Sequence, residues 1–121
     1  MKKTWPVGVI LATATISSAC HADAIMSGAG TFTCGKFASD YAKHPEIVED
    51  LYFAWAQGFM SGLNLDLASG VVNGQKQFRD LDGPIENQKS KIRIYCNAHP
   101  LAPFMDAVFD LIRSQPLKNM P

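Results

Sequence analysis

The chain has 121 residues, of which 11 are basic, 11 acidic and 47% hydrophobic, so that its formal net charge is zero. This length allows one domain with one modest core. Nucleic-acid binders usually carry a basic patch, whereas the densest basic group here, Lys89, Lys91 and Arg93, is interrupted by Ser90 and Ile92 and is expected to form a solvated helix face. We therefore expect no nucleic-acid partner.

The first 24 residues have the organisation of a signal peptide. Lys2 and Lys3 form a positive n-region, residues 7–16 an uncharged and mostly apolar h-region, and Ala22-Asp23-Ala24 a signal peptidase site. The apolar run is about ten residues long, whereas a membrane-spanning helix needs about 20. We expect cleavage after Ala24, no membrane span, and a single periplasmic or secreted domain over residues 25–121.

A second processing route is open within this leader. The run Ser17-Ser18-Ala19-Cys20 resembles a bacterial lipoprotein box, with serine where leucine is usual three positions before the cysteine. Lipidation of Cys20 would anchor the domain to a membrane surface. Whether Cys20 is discarded or acylated, two cysteines remain in the mature chain.

Those two cysteines, Cys34 and Cys96, are predicted to form a disulfide, because an oxidising compartment favours their pairing over two free thiols. They are 62 positions apart, and on the chain-entropy model closing such a loop stabilises a fold by about 4 kcal/mol. No CxxC or HxxxH spacing indicates a metal site. We expect neither a metal nor a cofactor.

Hydrophobic periodicity predicts an all-α domain, a compact bundle of about four helices. Thr33 is a suitable N-cap for the first helix, and His44-Pro45 ends it, because a residue before proline avoids the helical region. Between helices 2 and 3, residues 65–83 are rich in turn signals and are expected to form an irregular loop or flap, where a partner site would first be sought. The predicted helices cover residues 34–43, 46–65, 84–97 and 101–113.

The second helix is predicted to be the centre of the fold. An apolar row at intervals of four is expected to face the core and consists of Ile47, Leu51, Trp55 and Phe59. A parallel row of small residues contains Ala54, Gly58 and Gly62. Helical glycine costs up to about 1 kcal/mol relative to alanine, so this row predicts close packing of another backbone, within the bundle in preference to a partner interface. Asn64 is expected to bond to a neighbouring backbone, with contact to a partner as the alternative.

The third and fourth helices complete the predicted core. On the third, Ile85, Ile92 and Cys96 are expected to face inward, and Gln88, Lys89, Lys91 and Arg93 largely outward. The fourth has a broad apolar face at helical spacing, made of Leu101, Phe104, Met105, Val108, Leu111 and Ile112.

No catalytic residue is assigned from the sequence. His44 and His99 each precede a proline at a helix junction, where histidine is usually a surface or capping residue. The pairs Glu49-Asp50 and Asp80-x-Asp82 are explained by helix-start charge and loop solvation better than by acid–base work or cation binding. No GxSxG, HExxH or phosphate-binding loop occurs.

Two motifs and the cysteine pair carry a resemblance to known proteins. Cys34 opens the domain, followed by Trp55-x-x-Gly58-Phe59-x-x-Gly62-x-Asn64 and then by Tyr95-Cys96-x-x-x-Pro100-Leu101-x-x-Phe104-x-x-Ala107. Together these residues resemble small exported bacterial proteins of the HdeA-like and Rap1a-like immunity type. The likeness covers most of residues 33–113 but none of residues 67–83.

The resemblance implies a binding protein and not an enzyme. HdeA-like proteins are periplasmic acid-stress chaperones that loosen at low pH, keep their disulfide and expose apolar surface to unfolding clients. Rap1a-like proteins bind and block a toxin delivered by neighbouring cells. We therefore expect a protein partner and a chaperone-like role, with immunity as the alternative and an enzyme of unrecognised type as a further one. The oligomeric state stays open.

Overall fold

The computed structural model describes residues 26–71 and 74–121. The signal peptide predicted over residues 1–24 and the lipidation at Cys20 lie outside these described residues. Within them, the predicted compact bundle of four helices is confirmed. The helices are α1 (Cys34–Lys43), α2 (Pro45–Ser69), α3 (Ile85–Ala98) and α4 (Phe104–Ser114).

The boundary between α1 and α2 follows from local chemistry. The Thr33 side chain accepts a 3.1 Å hydrogen bond from the amide of Lys36, so it caps α1 as predicted. His44 ends α1, and its carbonyl accepts the first bond of α2 from the amide of Val48. Pro45 occupies the first turn of α2, where its missing amide hydrogen costs nothing.

The segment predicted to be irregular, residues 65–83, is partly regular. Helix α2 continues to Ser69, and a short strand β1 (Gln77–Arg79) pairs antiparallel with a second strand, β2 (Leu117–Asn119). In this pairing Phe78 lies opposite Lys118. The sheet therefore holds the C-terminal segment against the residues that follow α2.

The predicted disulfide between Cys34 and Cys96 is confirmed, and both residues are buried. Their Cα atoms are 4.7 Å apart. Backbone bonds reinforce the same junction, because the amides of Cys34 and Gly35 donate to the carbonyls of Ala102 at 2.8 Å and Pro100 at 2.7 Å. The start of α1 is thus held to the corner between α3 and α4.

An aromatic cluster forms the centre of the core. Phe104 is fully buried, and its ring centroid lies 5.3 Å from that of Phe37, 4.9 Å from that of Tyr52 and 6.3 Å from that of Trp55. The rings are tilted or edge-to-face, which their quadrupoles favour. Of the predicted apolar face of α4, the buried residues are Phe104, Val108, Leu111 and Ile112, while Met105 is half-buried.

The face of α2 that meets the core differs from the prediction. Ile47 and Leu51 are 67% and 66% exposed, and Trp55 and Phe59 are half-buried. The reason is geometric, because a helix advances about 100° per residue and a row at intervals of four therefore turns by about 40° at each step. The row winds from solvent toward the core. The buried residues of α2 are Tyr52, Phe53, Ala56 and Met60.

The close packing predicted at Gly58 and Gly62 is wrong. Among the described residues, no atom outside the local helix backbone lies within 4 Å of the position that a Cβ would take on either glycine. Ala54, the third member of the row, is also exposed. The small-residue row of α2 therefore faces solvent.

Two predictions about α3 are also corrected. Gln88, expected to point outward, is only 5% exposed, because its Nε2 donates to the carbonyls of Leu81 at 3.1 Å and Gly83 at 2.8 Å in the preceding loop. A buried amide is tolerated where its hydrogen bonds are satisfied. Ile85, expected to face inward, lies at the exposed first turn of α3.

Helix α4 begins later than predicted. Pro103 has extended backbone angles, and α4 starts at Phe104. Leu101 consequently lies in the connecting turn and is 90% exposed instead of joining the core. Within residues 26–71 and 74–121, no helix is both long and apolar enough to cross a membrane.

Candidate functional site

Most residues of the two motifs hold the fold together. Trp55 covers the N-terminal segment, where its Nε1 donates to the carbonyl of Ser27 at 3.0 Å. A Cβ on Gly30 would lie 2.0 Å from the indole ring, so this glycine permits the contact. Gly28 has a φ of 84°, a conformation that glycine adopts readily. Phe59 stacks on Trp55 with the ring centroids 5.2 Å apart.

Asn64 joins the end of α2 to the small sheet. Its side-chain amide donates to the carbonyl of Arg79 and accepts from the amide of the same residue, both at 2.8 Å. One side chain thus satisfies both backbone groups of Arg79, as the backbone of a neighbouring strand would do in a sheet. Its contact is with a neighbouring backbone of this chain.

Replacing Asn64 with alanine is expected to lower the free energy of unfolding by about 1–3 kcal/mol, because two hydrogen bonds to Arg79 are lost. Hydrogen exchange at the Arg79 amide should become faster, while exchange in the middle of α4 should follow the global stability alone. Asn64→Asp keeps an acceptor for the Arg79 amide and should lie between the two. Unchanged exchange at Arg79 would contradict this role.

The second motif forms the corner between α3 and α4. Cys96 is in the disulfide, the carbonyl of Pro100 accepts from Gly35, and the amide of Phe104 donates to the carbonyl of Phe32 at 2.7 Å. Tyr95 packs on His99, with the ring centroids 4.5 Å apart. These contacts explain the spacing of the motif by its role in the fold.

Helix α2 presents a second, solvent-facing side that the fold does not use. Six of its residues recur at alternating intervals of four and three, and a seventh, Gly62, lies four residues after Gly58, which keeps all seven on one face of a helix. Three large members are strongly exposed, namely Ile47, Leu51 and Leu65 at 67%, 66% and 74%. We call this surface the α2 outer face, and it consists of Ile47, Leu51, Ala54, Gly58, Ser61, Gly62 and Leu65.

The α2 outer face contains no charged residue and is bordered by acidic ones. Asp50 lies three residues after Ile47, and Asp66 lies four residues after Gly62, so both are neighbours of the face. The 25 residues of α2 include four carboxylates and no lysine or arginine, and two of the carboxylates, Glu49 and Asp50, pair with cations of α3. An apolar surface with an acidic border is therefore exposed along the length of the helix.

A groove continues the α2 outer face toward the N-terminal segment. It has a volume of about 350 Å³ and is open to solvent. Its floor is partly aromatic. The lining residues are Met26, Ser27, Ala54, Trp55, Gly58 and Phe59.

Replacement with alanine should change stability in opposite directions at Gly58, which is open, and at Gly30, which lies against the Trp55 ring. Gly58→Ala is expected to raise the free energy of unfolding by up to about 1 kcal/mol, because the position is helical and open. Gly30→Ala is expected to lower it, since the new Cβ would collide with the Trp55 ring. Chemical denaturation of both variants checks the pair. A destabilised Gly58→Ala protein would contradict the open position.

Two ion pairs join α2 to α3, which corrects the expectation that Lys89 and Arg93 lie on a solvated face. Glu49 pairs with Arg93, and Asp50 Oδ1 lies 2.7 Å from Lys89 Nζ. The hydrogen bond from Lys89 to Asp50 raises the pKa of Lys89. Lys89 Nζ also lies 5.8 Å from the Phe53 ring centroid. The carboxylates thus hold α3 over the aromatic core.

Asp40 links α1 to α2 through Tyr52. Its Oδ2 accepts from Lys36 Nζ at 2.8 Å and from the Tyr52 hydroxyl at 3.1 Å. The bond from Lys36, with that from Tyr52, lowers the pKa of Asp40. Burial and the neighbouring carboxylate raise the pKa of Tyr52 from 10.0 to about 12.

Asp40→Asn should therefore change two titrations. Because the folded state lowers the pKa of Asp40, the wild-type carboxylate stabilises the fold at pH values above the ordinary pKa of 3.8. This advantage over Asp40→Asn should begin to fall near pH 3.8 and be lost as pH decreases through the lowered folded-state pKa. The pKa of Tyr52 should fall but stay above 10.0, since burial is the largest cause of its increase. Ultraviolet titration of tyrosinate, with Tyr52→Phe to assign the step, measures the second effect. An unchanged Tyr52 titration would contradict the contact.

Two further groups of polar residues, around Asp80 and around Lys91, make contacts that join elements of the fold. Asp80 accepts from the Asp82 amide at 3.1 Å and pairs with Lys118 of β2, which lowers the pKa of Asp80. Lys91 Nζ lies 3.0 Å from Ser114 Oγ beside a groove of about 420 Å³ between α3 and α4. Lys91 is exposed.

Histidines and metal ligands give no further site in the described part of the chain. His44 and His99 are exposed at the ends of α1 and α3. Within residues 26–71 and 74–121, no three or more His, Cys, Asp or Glu side chains lie close enough together to hold a metal ion. The α2 outer face and its groove are therefore the candidate site.

Comparison with protein-family models, with curated proteins and with solved structures finds no match to this chain. The described residues form a small, mostly helical domain with a disulfide and with an exposed helix face, the α2 outer face, that contains no charged residue.

Proposed function

We propose that the protein is a small exported, non-catalytic binding protein that acts through protein–protein contacts at the α2 outer face. The observation that carries this proposal is the exposure of Ile47, Leu51 and Leu65 on a helix face that has no charged residue. Apolar surface of this kind is typical of interaction sites. The two exposed glycines, Gly58 and Gly62, support it, because they lower helix stability and have no packing contact with the described part of the chain.

A chaperone-like role in acid is the first form of this proposal. In the folded state, hydrogen bonds from Lys36 and Lys118 lower the pKa values of Asp40 and Asp80. The stability that such carboxylates give the fold is lost as pH falls through their folded-state pKa values. Acid does not break the disulfide between α1 and α3, so the chain would loosen at the Asp40 and Asp80 contacts and stay cross-linked.

An immunity role is the second form, and one observation favours it. The α2 outer face is exposed in the intact fold, so it can receive a partner without acid loosening. A toxin inhibitor has to bind one partner tightly, whereas a chaperone has to bind many unfolding clients weakly. The range of proteins bound and the pH at which they bind distinguish the two roles.

Suppression of client aggregation tests the first form. The mature domain, with its disulfide intact, is mixed with an acid-unfolded client enzyme at acid and neutral pH, and light scattering is followed. Leu51→Lys should reduce the suppression several-fold, because it places a charge on the face. Ile94→Lys is a matched control, since Ile94 on α3 is also 66% exposed but lies on another surface.

The outcomes separate the proposals. Absence of suppression by the wild-type domain at both pH values would reject the chaperone-like role. An equal loss in both variants would reject the α2 outer face as the site. Tight capture of one envelope or toxin protein at neutral pH, lost in Leu51→Lys and kept in Ile94→Lys, would support the immunity role.

A further inference from the structure

We propose that the α2 outer face takes one kind of occupant, an amphipathic helix whose apolar ridge crosses α2 at Gly58 and Gly62 and whose flanks carry lysine or arginine. This inference rests on the proposed function, because it specifies the partner of the same binding surface. Three features of the face carry it, namely its periodicity, its central hollow and its surrounding charge.

The periodicity of the face indicates a helical partner. Six residues of the α2 outer face, from Ile47 to Leu65, alternate at intervals of four and three and extend over about 27 Å at 1.5 Å per residue. Such a seam matches the apolar ridge of a second helix, which recurs at the same intervals. A strand repeats every two residues and would not follow it.

The centre of the face is shaped for close approach. At Gly58 and Gly62 no described atom beyond the local helix lies within 4 Å of a Cβ position, while the larger Leu51 and Leu65 stand on either side. A row of small residues one turn apart lets a second helix backbone come near. The adjoining groove of about 350 Å³ can receive a side chain of the partner against Trp55 and Phe59.

The negative charge of the residues beside the α2 outer face favours a partner with basic side chains. Of the four carboxylates of α2, Glu49 and Asp50 pair with cations of α3. The other two, Glu46 and Asp66, lie next to Ile47 and Leu65 at the two ends of the face, and within the described residues neither is in an ion pair. Half-buried Trp55 adds an aromatic ring at one edge of the face, and aromatic faces attract cations. Lysine or arginine on the flanks of the partner would meet both features. Opposite charge of this kind increases association rate and specificity.

The same charge argues against a second copy of this chain. Two α2 outer faces packed on each other would bring Glu46 and Asp66 of both helices to one interface, and no cation of the described residues pairs with either carboxylate. Like charges across an interface are unfavourable. The face is therefore assigned to a heterologous partner.

The test uses two synthetic helical peptides with the same leucine–alanine ridge, one flanked by arginine and the other by glutamate. Fluorescence anisotropy measures their affinity for the mature domain with its disulfide intact. The arginine-flanked peptide should bind at least about tenfold more tightly, and its affinity should fall as salt rises, because the attraction is screened. The glutamate-flanked peptide should bind only weakly.

The variants Gly58→Leu and Gly62→Leu should each weaken binding of the arginine-flanked peptide by about tenfold or more, since they fill the hollow. Neither should unfold the domain, because leucine is a better helix former than glycine and both positions are open. Ala42→Leu, at an exposed position of α1, is the matched control and should bind like the wild type.

Three results would overturn the inference. These are equal affinity for the two peptides, binding that Gly58→Leu and Gly62→Leu leave unchanged, and a concentration-dependent dimer in sedimentation that Gly58→Leu abolishes, which would assign the face to a second copy. The aggregation assay with wild-type protein is read separately. If the wild type suppresses aggregation and binds neither peptide, the helical partner is rejected while the protein-binding function stands.

Discussion

Replacing Phe104 with alanine is expected to lower the free energy of unfolding by about 3–5 kcal/mol, the usual cost of truncating a buried phenylalanine. Phe104 is fully buried and contacts the rings of Phe37 and Tyr52. Small domains have only about 5–15 kcal/mol of stability in total. The variant should therefore be close to unfolding, as chemical denaturation followed by circular dichroism will measure.

A matched control comes from the same aromatic group. Phe32 is 40% exposed and lies 6.3 Å from the Tyr52 ring centroid, so Phe32→Ala should cost much less than Phe104→Ala. The substitution leaves the backbone bond between Phe32 and Phe104 in place. Equal losses in the two variants would contradict the central position of Phe104.

Removal of the disulfide is the second large effect. The double variant Cys34→Ala/Cys96→Ala opens a loop whose ends are 62 positions apart. On the chain-entropy model this costs about 4 kcal/mol, because the unfolded chain gains freedom. Urea unfolding of the oxidised wild type and of the double variant should give clearly different midpoints.

Reduction of the wild type separates the bond from the packing of its atoms. Both cysteines are buried, so alanine also removes sulfur from the core, whereas reduction leaves the sulfur atoms in place. The reduced wild type should lose most of the stability that the double variant loses. An unchanged midpoint after reduction would show that backbone bonds such as that from Gly35 to Pro100 suffice.

The sequence was informative where signals are local. Thr33 before α1, Pro45 at the start of α2 and the broad apolar face of α4 act over one or two turns, and the helices they predict are present. The cysteine pairing follows from parity, since only two cysteines lie outside the predicted leader. These predictions needed no knowledge of how the helices are arranged.

The predicted core face of α2 differs from the observed one, because a row at intervals of four does not stay on one side of the helix. Ile47 and Trp55 lie on that row, but the helix turns between them, and only Trp55 approaches the core. The true core row, through Tyr52, Ala56 and Met60, contains a polar hydroxyl and a small residue that weaken its hydrophobic signal.

Contacts between residues far apart in sequence account for the other differences between the predicted and the observed structure. Gln88 is buried because two loop carbonyls accept its amide, and β1 exists because the C-terminal strand and Asn64 pair with it. The pairs between α2 and α3 join residues such as Asp50 and Lys89 that are far apart in sequence. Periodicity within one segment contains no information about such partners.

The position of the disulfide also affects how the chain survives cleavage. Cys34 precedes α2 and Cys96 follows β1, so a protease that cuts once between Ser69 and Gln77 leaves the two fragments covalently joined. The nicked molecule would migrate as one species without a reducing agent and as two with it. Both fragments would remain at a high effective concentration, because the cross-link holds α1 beside α3 after the peptide bond is broken.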